Sequence, residues 1–281
     1  MSDEARISEV RNTWETAAPG WAKWEQTLSR GLEPATDVLL DMAGVGAGAH
    51  VLDIASGAGH QTLQAARRVG SAGTVVASDI SATMLDNVRR NASAAGLSNV
   101  TTVESAAENL SAAEAPYDAA ICRLGLMLFP GPSAAVSAVR RVLKPGGKFA
   151  ALVFTTPANN PFMAQPMSIL LRHAGKEPPG PGHPGIFALG GDGVLEQLLS
   201  NGGLTDVDTK IVRAPLRLGH ADDALEMIQQ AFGAYRVVIA DLEDDKKAVA
   251  WSEVLEALKQ FEGNDGFETE FEFVIGSGSS V

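Results

Sequence analysis

The stretch Val51-Leu52-Asp53-Ile54-Ala55-Ser56-Gly57-Ala58-Gly59-His60 decides the fold. Val51, Leu52 and Ile54 have the short apolar run of an interior parallel strand, and a helix over Gln61 to Arg68 follows too soon for an ordinary loop. The connection must therefore be a tight turn. Gly57 and Gly59 carry no Cβ and tolerate positive φ, so a ligand can approach the backbone at the carboxyl edge of the sheet. This predicts an open, doubly wound, Rossmann-like α/β sheet with its ligand crevice there.

Two readings of the turn compete. The dinucleotide version, G-x-G-x-x-G, wants a third glycine where this chain has Thr62, and holds a pyrophosphate at the helix N-terminus. Against it, Asp53 lies four residues before Gly57, where an acid would face a cation better than a diphosphate. A second acid, Asp79, ends the apolar strand Thr74 to Ser78, about 20 residues beyond the glycines, the spacing expected for a carboxylate that accepts both ribose hydroxyls.

With these two acids and the D-x-A-S-G-A-G turn in place, the sequence resembles the class I S-adenosylmethionine (SAM)-dependent methyltransferases of type 11, the branch that includes the ubiquinone/menaquinone C-methyltransferases. The likeness is good over roughly Trp14 to Phe154, where "RVLKPGGKFA" at 141–150 is also similar, and looser beyond. The resemblance implies a seven-stranded mixed sheet with one antiparallel strand, SAM as cofactor, and cofactor contacts from Asp53, Ala55, Ser56, Gly57, Gly59 and Asp79. It further implies that Ile80 lies against the adenine with Met84 nearby, and that Trp21 contacts the methionine end. Similar proteins place an Asp where this chain has Ala106, so the adenine edge falls to the backbone near Ala107 or to the Glu108 side chain. Arg123 completes the set at the end of the fourth strand.

Composition bounds the alternatives. The chain has 281 residues, 45% hydrophobic and 20% charged, which fits one enlarged globular domain or a core with a cap. A net charge of −12 argues against nucleic acid, whose binding needs a basic surface. Cys122 is the only cysteine, so neither an intrachain disulfide nor a multi-cysteine metal site is expected, and no metal is assigned. The acidic N-terminus, Met1 to Arg6, leads into no apolar leader, and no apolar run reaches ~18 residues. The expectation is a cytoplasmic protein, monomer or homodimer, with a small-molecule methyl acceptor and no membrane partner.

In chain order, a helical segment over 7–30 carries Trp14, Trp21 and Trp24 and is broken by Pro19-Gly20, and a second helix runs from Pro34 to Met42. Ser81 N-caps a helix closed by Gly96. Val100 to Glu104 and Tyr117 to Cys122 are further strands. After the latter, Leu124 to Phe129 forms an apolar wall in place of the Asp/Asn-Pro-Pro-aromatic motif of nucleobase amino-methylating enzymes, which suggests an apolar acceptor. Cys122 reads as a buried filler. Pro145-Gly146-Gly147 turns the chain into the strand Lys148 to Phe154.

From Thr155 to Gly193 prolines alternate with apolar residues, which predicts an ordered cap with one short helix and a mobile Pro-Gly loop at 177–185. Asp192 caps a helix ending at Asn201, a strand runs from Leu204 to Leu218, and two cap helices carry Leu225, Ile228 and Phe232, then Val254 and Leu258. Alternating Phe267, Thr269, Phe271, Phe273 and Ile275 form an edge or antiparallel strand, with a frayed tail from Gly276. The organisation is then an N-terminal helical lid (1–33), a SAM-binding core (34–154), a cap insertion (155–190), and a C-terminal completion of the sheet (191–281) with a helical insertion at 220–262.

Trp14, Met127 and Phe162 are assigned to the acceptor pocket. No catalytic base stands out. His220 and Tyr235 are the candidates named, His173 and His183 belong to the first cap, His60 shapes the turn or meets the methionine end, and His50 lies on the surface. Three classes stay open: a methyltransferase acting on O, C or S of a small, fairly apolar metabolite; a non-catalytic SAM-binding or interaction protein; and an NAD-dependent oxidoreductase.

Overall fold

The computed structural model describes residues 3–111, 116–178, 180 and 183–281, without the side chains of 3–6 and 25. Residues 179, 181 and 182 of the Pro-Gly loop, and Met1 and Ser2 of the acidic N-terminus, lie outside the described residues.

The strands are β1 (His50–Ile54), β2 (Thr74–Asp79), β3 (Val100–Glu104), β4 (Tyr117–Arg123), β5 (Leu143–Phe154), β6 (Thr205–Leu218), β7 (Glu262–Gly263) and β8 (Gly266–Ser279). They lie in the order β3-β2-β1-β4-β5-β8-β6, with the two-residue β7 paired to β8 in a hairpin. β1 to β5 run parallel, and β8 is antiparallel to both β5 and β6. The mixed sheet with one reversed long strand is thus as expected. The last segment is not an edge, however, and its tail is not frayed. Gly276 is paired to Ala151 on one side and Thr209 on the other. A Cβ there would come 2.9 Å from the Leu195 side chain, so the glycine lets a helix lie flat on the strand.

The helices are α1 (Asp3–Met42), α2 (His60–Val69), α3 (Ala82–Ala94), α4 (Pro132–Val142), α5 (Pro161–Ala174), α6 (Val194–Asn201), α7 (Ala221–Ala231), α8 (Gly233–Val238) and α9 (Asp244–Leu258). Ser81 caps α3 as read, its Oγ accepting from Met84 N at 3.1 Å. Gly193, not Asp192, precedes α6, and the second cap insertion holds three helices where two were expected.

The largest departure is α1. Pro19-Gly20 does not interrupt it, Pro34 does not open a new helix, and a boundary at 33/34 falls inside one 40-residue helix. A proline inside a helix removes one hydrogen bond, but burial of Ala17, Ala18, Leu28, Leu32, Leu39 and Leu40 outweighs that loss. Gly20 is a contact glycine: a Cβ would sit 1.9 Å from the Gln230 carbonyl oxygen of α7. The Pro145-Gly146-Gly147 turn is likewise absorbed into β5 as an irregularity, since Tyr117 faces Leu143 while Ala119 faces Lys148. Among the described residues no helix is long and apolar enough to cross a membrane.

Candidate functional site

Two apolar strand ends and a glycine turn make the floor of the crevice. At the end of β1, Ala55 adopts φ 53°, and beyond β4, Leu124 adopts φ 64°, both in the left-handed region that side chains rarely occupy. The two kinks meet, because a Cβ on Gly125 would lie 2.6 Å from that of Ala55. Gly57, at φ 55°, has open space where a side chain would be, and its N–H donates to Asp79 Oδ2 at 2.9 Å. Gly59, at φ 95°, does something else: it faces Val88 of α3, whose Cα is 3.2 Å from a Cβ placed there. It lets two helices approach and is not among the residues lining the crevice.

The crevice has an empty volume of about 1030 Å³, part of it open to solvent. Trp21, Ala55, Ser56, Gly57, Asp79, Ile80, Met84, Ala107, Glu108 and Arg123 line it, as the sequence suggested, and so does Trp14, which had been assigned to the acceptor side. The N-terminal half of α1 roofs it through Ile7, Val10 and Trp14. Arg11 Nε donates to the Ile80 carbonyl at 3.2 Å, and the Glu15 carboxylate accepts from the Thr83 hydroxyl, a bond that holds its pKa below the usual value.

The two acids have separate jobs. Asp79 is buried, accepts from Gly57 N and from Ser81 N at 3.0 Å, and lines the crevice. Burial raises its pKa to about 6 against the lowering effect of these backbone donors. Asp53 does not face the crevice at all. It is fully buried under the turn, where Thr62 Oγ1 and Gln61 Nε2 donate to it, and desolvation pushes its pKa to about 7. Its sequence position was read as facing a cation. The structure makes it a strut between β1 and α2, and the threonine that replaces the third glycine is its partner.

At the β4 end, Arg123 Nη1 donates to Thr36 Oγ1 of α1 at 3.0 Å and to His60 Nδ1 at 3.1 Å. Burial and the neighbouring guanidinium lower the His60 pKa to about 3, so the ring is neutral and its proton lies on Nε2. Both side chains line the crevice. Ser56, 1% exposed, and Trp21 line it as well, and neither Ser56 Oγ nor Trp21 Nε1 has a protein partner. Glu108 Oε1 accepts from Gly131 N at 3.1 Å, which fixes its carboxylate on the β3 side.

A second cavity, of about 950 Å³ empty volume, shares the Val10, Trp14, Trp21, Leu28, Leu124 and Leu128 wall with the first. Beyond that wall it is lined by Met127, Phe154, Met163, Ile186, Phe232 and Phe273 with few polar groups. Trp21 stands between Trp14 and Phe232, with ring centroids at 6.2 and 5.9 Å.

Three assignments fail here. Phe162 is fully buried against Phe267 and Phe271 and lines neither cavity, because its helix turns that face to β8. His220, with a side chain 73% exposed, is the N-cap of α7 and pairs with Glu262 at 3.2 Å, on no cavity wall. Tyr235 does line the second cavity, but its hydroxyl donates to the Met163 carbonyl at 2.8 Å and burial moves its pKa well up, so it is no base. Cys122 is buried, and desolvation pushes its thiol to about 12, which leaves it a filler. Thr36, His60 and Gln61 were missed or underused because their roles depend on α1 and β4 meeting α2. Sequence spacing carries no sign of that meeting.

Residues 51–147 match the family model described as a methyltransferase domain. The curated protein described as ubiquinone/menaquinone biosynthesis C-methyltransferase UbiE from Pseudomonas aeruginosa is 38% identical over 122 residues, 43% of this chain and 48% of that protein. The chain thus spans about half the length of this curated relative. Among solved structures, the [4+2]-cyclase SpnF superposes with a TM-score of 0.59 at 17% identity, over 98% of this chain and 97% of its own. A Haemonchus contortus phosphoethanolamine N-methyltransferase, solved with S-adenosyl-L-methionine, does so with a TM-score of 0.51 at 17% identity, over 88% of this chain and 53% of its own. At these identities the structural likeness speaks for the fold alone.

Proposed function

We propose that this chain, whose core belongs to the class I SAM-dependent methyltransferases, transfers a methyl group from SAM to an O, C or S atom of a small, fairly apolar metabolite. The observation that carries this is the pair of cavities sharing an aromatic wall, one lined by a buried acid and orphaned polar atoms, the other apolar.

The residues present fit the cofactor. Asp79 offers a carboxylate with acceptor capacity left over for a ribose diol, Gly57 leaves its Cβ space open, and Ser56 Oγ and Trp21 Nε1 are buried polar atoms that the protein itself does not satisfy. Ile80 and Met84 supply apolar contact for a base between β2 and β3. SAM supplies a methyl group on a positively charged sulfur. What the chain does is position and dry the reactants: α1 roofs the crevice, and the shared Trp14, Trp21 and Leu128 wall excludes water where the two cavities meet. Orientation of this kind removes on the order of 7–11 kcal/mol from a bimolecular barrier. The helices of 155–190 and 220–262 cover the acceptor side.

The closing experiment is calorimetry with S-adenosylhomocysteine (SAH) and NADH, followed by labelled methyl transfer from SAM to metabolite extract. SAH binding that vanishes in Asp79→Ala, together with labelled product, supports the reading; NADH binding without SAH binding overturns it. A second reading, cofactor binding without methyl transfer, is favoured by Ala106 and by the commitment of Tyr235 to Met163. Labelled product from any extract component disposes of it.

A further inference from the structure

The wall of the second cavity holds nothing that takes a proton. Among the described residues lining it there is no Asp, Glu, His, Lys, Arg or Cys, and its two hydroxyls already donate, Thr13 Oγ1 to the Glu9 carbonyl at 3.0 Å and Tyr235 to the Met163 carbonyl at 2.8 Å. Burial moves the Tyr235 pKa well up, so the phenol keeps its proton. The first cavity offers no substitute. The second lies toward the other end of the sheet, against Leu124 and Met127 after β4, Phe154 at the end of β5 and Phe273 of β8. Asp79 ends β2 and Glu108 follows β3, two and three strand spacings from β4, which at ~4.8 Å each is roughly 10 and 14 Å. His60 is nearer, but its Nδ1 accepts from Arg123, and a pKa of about 3 leaves it no affinity for a proton at neutral pH.

Resting on the proposed methyl transfer, we infer that the acceptor atom is the sulfur of an apolar thioether and that the product is a sulfonium cation held by the aromatic wall. A hydroxyl, a thiol or a carbon acceptor sheds a proton before or after it is methylated, and each needs a group to receive it. A thioether sheds none. Its sulfur lone pair forms the new bond to the methyl carbon as the bond from that carbon to the donor sulfur breaks, and the electron pair of the broken bond stays on the donor sulfur. The positive charge passes to the acceptor sulfur, so the step balances without a base. The wall suits both ends of this exchange. A thioether is apolar and only a weak hydrogen-bond acceptor, so burying it there leaves no strong polar group unpaired. A sulfonium charge is attracted to π faces, and Trp14, Trp21 and Phe232 stand in succession on the wall, with centroids 6.2 and 5.9 Å apart and planes at 51° and 70°. Trp14 and Trp21 line both cavities, so they can meet the charge on either sulfur.

The test offers the protein and labelled SAM three acceptors of one shape: methyl naphthyl sulfide, naphthalenethiol and naphthol. The expected result is that the sulfide alone is converted, to a dimethyl naphthyl sulfonium identified by its mass, at a rate that stays level between about pH 7 and 9, where a proton-losing acceptor would gain. Equilibrium dialysis in the presence of SAH then compares that sulfonium with isopropylnaphthalene, its neutral isostere. The cation binds more tightly, and Trp14→Leu or Phe232→Leu lowers the ratio of the two affinities by about three- to thirtyfold, the worth of a ring face to a cation; a merely structural role would move both ligands alike. Methylation of naphthol or naphthalenethiol with the sulfide untouched overturns the thioether and leaves methyl transfer standing. A cation that binds no better than its isostere overturns it as well, and where none of the three acceptors is converted this ratio decides. Should Trp14→Leu fail to fold, an unchanged ratio in Phe232→Leu overturns the aromatic hold on the product. If the unaltered protein binds no SAH, the inference falls together with the reading it rests on.

Discussion

Asp79 and Asp53 show how little a residue's type says about its work. Both are buried acids with raised pKa values, one open to a ligand and the other enclosed under a turn. If Asp79 holds a ribose, it does so ionised, so SAH affinity should fall as pH drops through about 6, and calorimetry between pH 5 and 8 checks this. Asp79→Ala should weaken SAH by about 100-fold or more, from the loss of two charge-assisted bonds at ~1.5–3 kcal/mol each. For Asp53 the readout is stability. A carboxyl raised to about 7 binds its proton more readily folded than unfolded, so its ionisation destabilises the fold increasingly from about pH 4 up to 7, and fully above. The melting temperature of Asp53→Asn relative to the parent should therefore improve between pH 5 and pH 8, which thermal melts at the two pH values measure.

At the scale of elements, α1 is the instructive one. Local rules put a break at Pro19-Gly20 and a start at Pro34, and both rules describe real penalties. They lose because the helix is laid along the core, with Gly20 against Gln230 and Gly31 against Pro215. Gly20→Ala would raise intrinsic helix propensity by about 1 kcal/mol. The added Cβ would meet the Gln230 carbonyl at 1.9 Å, so a net loss of about 1–3 kcal/mol is expected, read as a lower melting temperature. β1, β2 and β4 were legible because a parallel strand buried on both faces is an unbroken apolar run. The reversed β8 was legible only as an alternating strand. Its place between β5 and β6 depends on residues 49 or more positions away in sequence.

For the molecule as a whole, the prediction is linkage and division of labour. SAH at 100 times its Kd should stabilise the fold by about 2.7 kcal/mol, a rise of roughly 5–10 °C in melting temperature, and NADH should give none. Ile186 lines only the second cavity, so Ile186→Asp should abolish transfer to an apolar acceptor while SAH affinity stays within about twofold. Kinetics and calorimetry on the same preparation separate the two effects. The acceptor side was the least legible part of the site. Met127 and Trp14 line the second cavity and Phe162 does not, because helical spacing shows that a face is apolar and does not show whether it meets a strand or a void.

By itself the sequence determined the class of sheet, the turn that opens its crevice and the acid at the end of β2, since each depends on residues adjacent in the chain and on backbone conformations that few residue types tolerate. Tertiary structure alone decided which acid is the strut, that Arg123 meets His60 and Thr36, and that α1 stays whole over the site. Those outcomes depend on distances between elements far apart in sequence, and local chemistry fixes none of these distances until the core has packed.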